Sequence, residues 1–477
     1  MLRSVGPWCA TVLLLLLAGP GSRDARAAEA LAGRLAAALE ARGLRGAEVG
    51  VLVVDAASGA VIFEREADRA LVPASNMKIL TALAAAAEFG PTHRFVTEVF
   101  AGAPPDAAGV VPWLALRGEG DPTLTSEQWW RLAADLRRLG VRRVAGDVWL
   151  DASAFDGETW HPAWGGRSAR AYHAPVAALS ANYGAYAVHV EPAAAGEPAR
   201  VRIDPAVPYL RLLSQARTGA PGSPSSLAVD RRAGEGVEPL ERVVVTGSLP
   251  AGAEPEIFWR SVLDPLAYAG SVLGLQLAAN EIAVAGQSRA GSVPDGAVLV
   301  HRFEGKDMGE IVRLLGKYSS NVIAESLVKA MGARASGAPG SWPSGSEALR
   351  KRLATLGLAL DGARIVDGSG LARGNRVSPR LLVQALLVSH RSFQWGPELV
   401  AALPIAGSDG TLARRAAGAS GAVRAKTGLL DGVTSLSGLA ELADGRRACF
   451  SILVNGFRQG APAAQRAVDG FVEALVR

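Results

Sequence analysis

Apolar and polar positions change register several times along this chain, and the changes mark its elements. From Glu48 to Val54 a valine-rich run leads to the turn Asp55-Ala56-Ala57-Ser58-Gly59, and Ala60 to Arg65 follows as a second run, so the pair reads as a β-hairpin. Pro73 then holds the preceding residue extended, and beyond Ser75 the apolar positions Ile79, Leu80, Ala82, Leu83 and Ala86 recur at helical spacing. Ser75 is therefore expected at a helix N-terminus. At the far end Val423 to Thr427, Ser435 to Leu442 and Ala448 to Asn455 read as three strands, the last two joined by an Asp444-Gly445 turn. Ala463 to Val476 is amphipathic and reads as the closing helix.

Between these ends, roughly residues 98 to 269 are rich in Gly and Pro and carry short Val/Leu runs such as Val110 to Leu116 and Val201 to Ile203. This stretch reads as an inserted, mainly β module, with loop-like segments at Gly219 to Ser226 and Gly234 to Glu238 and no tandem repeat. The expected division is residues 1–27 as a leader, 28–97 with 270–477 as one unit, and 98–269 as the insert.

A chain of 477 residues that is 49% hydrophobic can bury more than one core, which fits that division. Met1-Leu2-Arg3, the apolar run from Trp8 to Ala18 and the small-residue pattern Ala25-Arg26-Ala27 read as a secretory signal peptide cut after Ala27. Its apolar part is shorter than the ~20 residues that span a bilayer, and so is the stretch from Leu266 to Ala279. The mature protein is thus expected outside the cytoplasm, periplasmic or otherwise exported, either soluble or loosely membrane-associated, with no transmembrane segment. Cys9 would leave with the leader, so Cys449 would remain without a disulfide partner. The near balance of basic and acidic residues, 50 against 45, gives no reason to expect a nucleic-acid partner.

Lysine usage is more telling. Among the 50 basic residues only six are lysines: Lys78, Lys306, Lys317, Lys329, Lys351 and Lys426. Arginine stays protonated above pH ~12 and cannot act as a base, whereas a desolvated lysine beside another cation can titrate near neutrality.

Serine is a weak nucleophile until a neighbouring base takes its proton, and a helical i, i+3 spacing brings two side chains together one turn apart. Ser75-Asn76-Met77-Lys78 meets that requirement at an exposed helix start, where backbone N–H groups favour developing negative charge. A second copy, Ser326-Leu327-Val328-Lys329, lies inside a continuing helix and reads as structural. In Ser319-Ser320-Asn321 a hydroxyl and an amide two residues apart can relay a proton and grip a carbonyl; Ser180-Ala181-Asn182 has the same spacing but reads as a turn. Lys426-Thr427-Gly428, at the end of a strand, offers a cation, a hydroxyl and close backbone approach to a substrate carboxylate.

In this order Ser-x-x-Lys, Ser-x-Asn and Lys-Thr-Gly match the signature set of penicillin-binding proteins and serine β-lactamases. Within that superfamily the chain resembles the low-molecular-mass D-alanyl-D-alanine carboxypeptidase/DD-endopeptidase family, which inserts two small domains between its first two motifs. Gly118-Glu119-Gly120-Asp121-Pro122-Thr123-Leu124, Asp367-Gly368-Ser369-Gly370-Leu371 and Gly407-Ser408-Asp409-Gly410-Thr411 add to the likeness. Class A β-lactamases have far less chain between those motifs.

The resemblance implies an α/β (α+β) fold, a β-lactamase/transpeptidase-like domain of antiparallel sheet and helices carrying a two-part insert. It implies hydrolysis of peptidoglycan stem peptides ending in D-Ala-D-Ala, with β-lactams as covalent inhibitors. Carried over, Ser75 is the acylated nucleophile, Lys78 its base, and Ser319 with Lys426 the proton donor to the leaving amine. Asn321 would hold the substrate amide, Thr427 the terminal carboxylate, and the backbone N–H groups of Ser75 and Leu429 the oxyanion. Trp164 and Tyr172 resemble the aromatic residues that meet the stem peptide's diamino acid in relatives.

The chain departs from the pattern twice. Leu429 stands where many relatives carry a hydroxyl, and Arg167 and Arg170, with no acid, lie between Trp164 and Tyr172. Leu429 leaves room for a slow peptidoglycan-binding or β-lactam-sensing protein as the competing class; a serine β-lactamase is the other alternative. The six histidines form no His-Glu-x-x-His pattern, and no metal or cofactor is expected.

Overall fold

A computed structural model of the chain describes residues 20–234, 241–337 and 339–477. Most of the expected leader and most of the expected loop at Gly234 to Glu238 lie outside the described residues.

The two ends of the chain meet in one five-stranded antiparallel sheet, in the order Val423–Leu430, Val433–Glu441, Arg447–Asn455, Glu48–Asp55, Val61–Arg65. The near-continuous apolar run at Glu48–Asp55 follows from its place inside the sheet, because both of its faces are covered. Val51 and Val53 point to one side with Phe450, Ile452 and Val454, where helices Pro20–Leu39 and Ala461–Val476 pack. Leu52 and Val54 point to the other with Cys449 and Leu453, against the helices around Met77–Phe89 and Pro379–Arg391. This is the two-residue alternation of a strand with apolar residues on both of its faces.

Met77–Phe89 is the central helix, buried from Met77 to Ala86. A helix apolar all round has to be covered on every side; its neighbours are Met308–Tyr318, Asn321–Ser336, Trp342–Thr355 and Pro379–Arg391.

A second core is built from Val99 to Phe303. Its five-stranded sheet runs Ser288–Ala290, Val148–Asp151, Leu114–Gly118, Arg94–Ala101, Val298–Asp307, backed by helices Ser126–Arg138 and Pro265–Ala279. Three three-stranded sheets, Leu210–Ser214/Glu241–Thr246/Ala228–Ala233, Glu256–Ser261/Ala185–Glu191/Arg200–Asp204 and Ala283–Val284/Arg143–Val144/Val110–Val111, complete it together with the short pair Arg217–Gly219/Ser248–Pro250. Val272, Leu273, Leu277 and Phe303 pack here, and Val298–Asp307 pairs with Arg94–Ala101. The chain therefore returns to the first core at Met308, not at residue 270.

The run Val110 to Leu116 is two strands, Val110–Val111 and Leu114–Gly118, in different sheets. Pro112 lies between them and has no N–H to continue a ladder.

One loop of the second core returns to the first: Phe155, Trp160, Trp164, Val176 and Ala178 pack into the cluster around the central helix. Lys329, from the second Ser-x-x-Lys copy, holds that loop. Its buried Nζ donates to Asp156 Oδ1 at 2.6 Å and to the Glu158 carbonyl, and lies 3.9 Å from the Trp342 ring centre. Ser326 is buried beside it, so this copy is structural. Asn182 of the Ser-x-Asn look-alike is likewise structural, its Oδ1 accepting from Ser126 N at 2.7 Å at the start of a helix.

Candidate active site

Ser75 lies in a 3-10 turn, Ala74–Asn76, that runs straight into the central helix. Ala74 takes φ +47°, a left-handed conformation that costs a side-chain-bearing residue roughly 1–2 kcal/mol. The surroundings hold it there. Ser435 Oγ donates to the Pro73 carbonyl at 2.7 Å, and Asn76 Nδ2 donates to the Lys426 carbonyl at 3.0 Å.

Two glycines make this fit possible. A Cβ on Gly428 would lie 2.1 Å from Ser435 Oγ and 2.9 Å from the Pro73 carbonyl oxygen. On Gly370, itself at φ +80°, a Cβ would lie 1.8 Å from the Ala74 carbonyl oxygen. The glycine of Lys-Thr-Gly thus makes room for the nucleophile's own turn, where the sequence reading assigned it to a substrate carboxylate.

Lys78 sits one helical turn beyond Ser75, its Nζ 3.0 Å from Ser75 Oγ. The same Nζ donates to Asn321 Oδ1 and to the Ser369 carbonyl, each at 2.7 Å. Asn321 Nδ2 in turn donates to the Tyr172 carbonyl at 2.7 Å. Ser319 and Asn321 flank the break between helices Met308–Tyr318 and Asn321–Ser336. Ser319 is left-handed at φ +58°, and Ser320 caps the second helix.

Lys426 comes from the edge strand Val423–Leu430 and donates to Ser319 Oγ at 2.8 Å and to the Thr427 carbonyl at 2.9 Å. The strand's outer edge is paired with residues 404–406 at its start, where the Ala425 N–H points away from the sheet, to the Pro404 carbonyl at 2.9 Å. The two-residue alternation sends the Thr427 and Leu429 N–H groups the same way. An open strand edge beside a nucleophile can hold an extended peptide and one oxyanion.

The two lysines are buried, each 1% exposed. Burial lowers the Lys78 pKa to about 7, with Asp367 and Glu325 opposing the fall. Burial also takes Lys426 well below its ordinary value, and the neighbouring Lys78 charge adds to this. Burial and a neighbouring like charge both favour the neutral amine, the form in which a lysine can accept a proton.

The carboxylates beneath Lys78 were not legible as site residues. Buried Glu325 accepts from Ser369 N at 2.7 Å, Gly368 N at 3.2 Å and Trp342 Nε1 at 3.0 Å. Burial raises its pKa to about 7, and Asp367 adds to this. Asp367 accepts from Gly370 N at 2.8 Å, Ala372 N at 2.7 Å and Asn375 Nδ2 at 2.7 Å. Together they fix the loop that aims the Ser369 carbonyl at Lys78. The signal for Glu325 was a lone acid inside the apolar helix Val322 to Met331.

Trp164 and Tyr172 part company. Trp164 is 8% exposed, packs edge-on against Trp160 and Trp342, and donates its indole N–H to Asp367 Oδ2 at 2.9 Å. Its only polar atom is committed, so it supports the Asp367 loop and has no donor left for a diamino acid. Tyr172 is 53% exposed beside Asn321. Arg167 stacks over Trp160, and the Arg170 backbone pairs with that of Arg260 in an isolated antiparallel β-bridge. Leu429 is 49% exposed, and Thr427 Oγ1 meets Thr411 Oγ1 at 2.7 Å. Among the described residues no group of three or more His, Cys, Asp or Glu is arranged to hold a metal.

Residues 31–475 match the family described as D-Ala-D-Ala carboxypeptidase 3 (S13). The chain is 39% identical over 475 residues to a D-alanyl-D-alanine carboxypeptidase of Actinomadura sp. (strain R39), spanning 95% of this chain and 86% of that one. It is 25% identical over 421 residues to the D-alanyl-D-alanine carboxypeptidase DacB of Haemophilus influenzae, spanning 87% of each. The crystal structure of penicillin-binding protein 4 (dacB) from H. influenzae superposes with a TM-score of 0.77 at 25% identity, covering 92% of this chain and 98% of that one.

Proposed function

The chain belongs to the D-Ala-D-Ala carboxypeptidase 3 (S13) family, and on that premise we propose that Ser75 is the nucleophile of a serine-type peptidase acting on stem peptides that end in D-Ala-D-Ala. The observation that carries this is the pairing of two buried lysines with two serines, Lys78 with Ser75 at 3.0 Å and Lys426 with Ser319 at 2.8 Å.

In this reading the neutral Lys78 amine accepts the Ser75 proton as Oγ attacks the carbonyl of the terminal peptide bond. The oxyanion forms at the N–H groups of Ser75 and Leu429, where one such donor is worth ~10²- to 10³-fold in rate. The proton taken by Lys78 passes through Ser319, bonded to Lys426, to the departing D-alanine amine as the C–N bond breaks, which leaves an ester on Ser75. Positioned proton transfer contributes typically ~10²- to 10⁴-fold. Water then hydrolyses the ester. A β-lactam follows the same first steps, but its leaving amine stays tethered to the acyl group.

Asn321 meets the substrate amide, Thr427 the terminal carboxylate, and the exposed Tyr172 ring the stem peptide. The second core, bounded by the strands Arg94–Ala101 and Val298–Asp307, is the family's insert. Export follows from the leader pattern of residues 1–27 and from a substrate that lies outside the cytoplasm. Among the described residues no helix is long and apolar enough to cross a membrane.

Digestion of purified muropeptides, followed by mass, tests the reading. Loss of one alanine marks carboxypeptidase action and splitting of dimers marks endopeptidase action. Absence of both, in protein that still acylates with penicillin, contradicts hydrolysis and favours a sensor.

A further inference from the structure

Thr427 does not stand alone on the open strand edge. Its Oγ1 and that of Thr411 are 2.7 Å apart, and both residues are partly exposed. Thr411 belongs to the 3-10 turn Gly410–Leu412, and that turn is anchored. Buried Lys317 donates to Asp409 Oδ2 at 2.6 Å and to the Leu403 carbonyl at 2.8 Å. Asp409 Oδ1 accepts from Ile405 N at 2.7 Å, and Ile405 bridges to Arg424 on the edge strand. The Thr411 hydroxyl is therefore delivered by a loop tied to the register of the strand that carries Thr427.

Two hydroxyls carry two protons, and one mutual hydrogen bond uses one of them. The pair always keeps an O–H free to donate to a third group. A carboxylate only accepts, and it has two oxygens with about four lone-pair sites, so it is the partner such a pair favours. Position 429 offers no hydroxyl, only a leucine side chain that is 49% exposed.

We propose that Thr411 is a substrate-binding residue for the terminal carboxylate, supplying from the Gly407 to Thr411 loop the second hydroxyl that Leu429 lacks. This rests on the reading in which Thr427 receives that carboxylate. Substrate entering the pair replaces the Thr411–Thr427 bond with one bond from each hydroxyl to the carboxylate.

The test compares two peptides, one ending in D-Ala-D-Ala and one whose terminal carboxylate is a carboxamide, in wild type, Thr411→Val and Thr411→Ser. In Thr411→Val the ratio of kcat/KM for acid over amide falls about 10- to 100-fold, the range of a hydrogen bond to a charged acceptor, with the loss mainly in KM. Thr411→Ser keeps the wild-type ratio, and adding Leu429→Thr to Thr411→Val restores it. An unchanged ratio in Thr411→Val, or an equal loss on both peptides, overturns the proposal. Wild-type protein that takes up no penicillin at all would instead remove the nucleophile reading beneath it.

Discussion

The Lys78 amine donates a 2.7 Å hydrogen bond to the backbone carbonyl of Ser369, 291 positions further along the chain. That carbonyl belongs to a loop held from below by two buried carboxylates. The base one turn after the nucleophile is thus aimed by a distant segment, and its proton affinity depends on groups that touch no substrate.

With the Lys78 pKa lowered to about 7 by burial, the base is neutral only above that range. Penicillin acylation by the wild type should rise through an acid limb centred near pH 7 and level off above pH ~8. Lys78→Arg, which stays protonated throughout, should remove measurable acylation at every pH. Stopped-flow acylation rates from pH 5 to 9 check both.

Glu325→Gln removes a negative charge that raises the Lys78 pKa, so the acid limb should shift to lower pH. The Gln amide also cannot accept from both the Ser369 and Gly368 sides, so stability should fall by roughly 1–3 kcal/mol. Asn321→Asp should move the limb the other way, because it sets a carboxylate 2.7 Å from Lys78 Nζ. The two opposite displacements, measured alongside urea unfolding, distinguish electrostatic tuning from general damage.

Gly428→Ala should push the edge strand away from the nucleophile's turn, because its Cβ would meet Ser435 Oγ at 2.1 Å and the Pro73 carbonyl at 2.9 Å. Overpacking of this kind costs about 1–3 kcal/mol, and a displacement of about 1 Å at the reacting groups costs ~10²-fold in rate. Unfolding midpoints and acylation rates of the single variant check the two effects separately.

Trp164→Phe deletes the indole donor to Asp367 while keeping an aromatic ring. A stability loss of about 1–3 kcal/mol with little change in KM is expected for a residue that braces the loop. A KM rise with unchanged stability would return Trp164 to the substrate.

Much of the site was legible because its chemistry is encoded locally. The spacing Ser75 to Lys78 on a helix, the hairpin at Glu48 to Arg65 and the three closing strands each carry their own period. What the sequence pattern missed is non-local. Residues 270–307 join the second core through the helix Pro265–Ala279 and through the pairing of Ser288–Ala290 with Val148–Asp151 and of Val298–Asp307 with Arg94–Ala101, which no composition shift announces. Glu325 reads as an ordinary helix residue until Gly368 and Ser369 are folded onto it. Thr411 stands in the run Gly407 to Thr411, whose sequence gives it no role until the fold brings Thr427 within hydrogen-bond reach. Trp164 and Tyr172, eight positions apart by number, looked equivalent as aromatics near a lip, and only packing separates a buried brace from an exposed ring.

Intact mass of the mature protein after exposure to penicillin tests the account at its centre. One adduct per chain is expected for the wild type, and none for Ser75→Ala at matched fold stability. An adduct that persists in Ser75→Ala would contradict the assignment of the nucleophile and everything built on its pairing with Lys78.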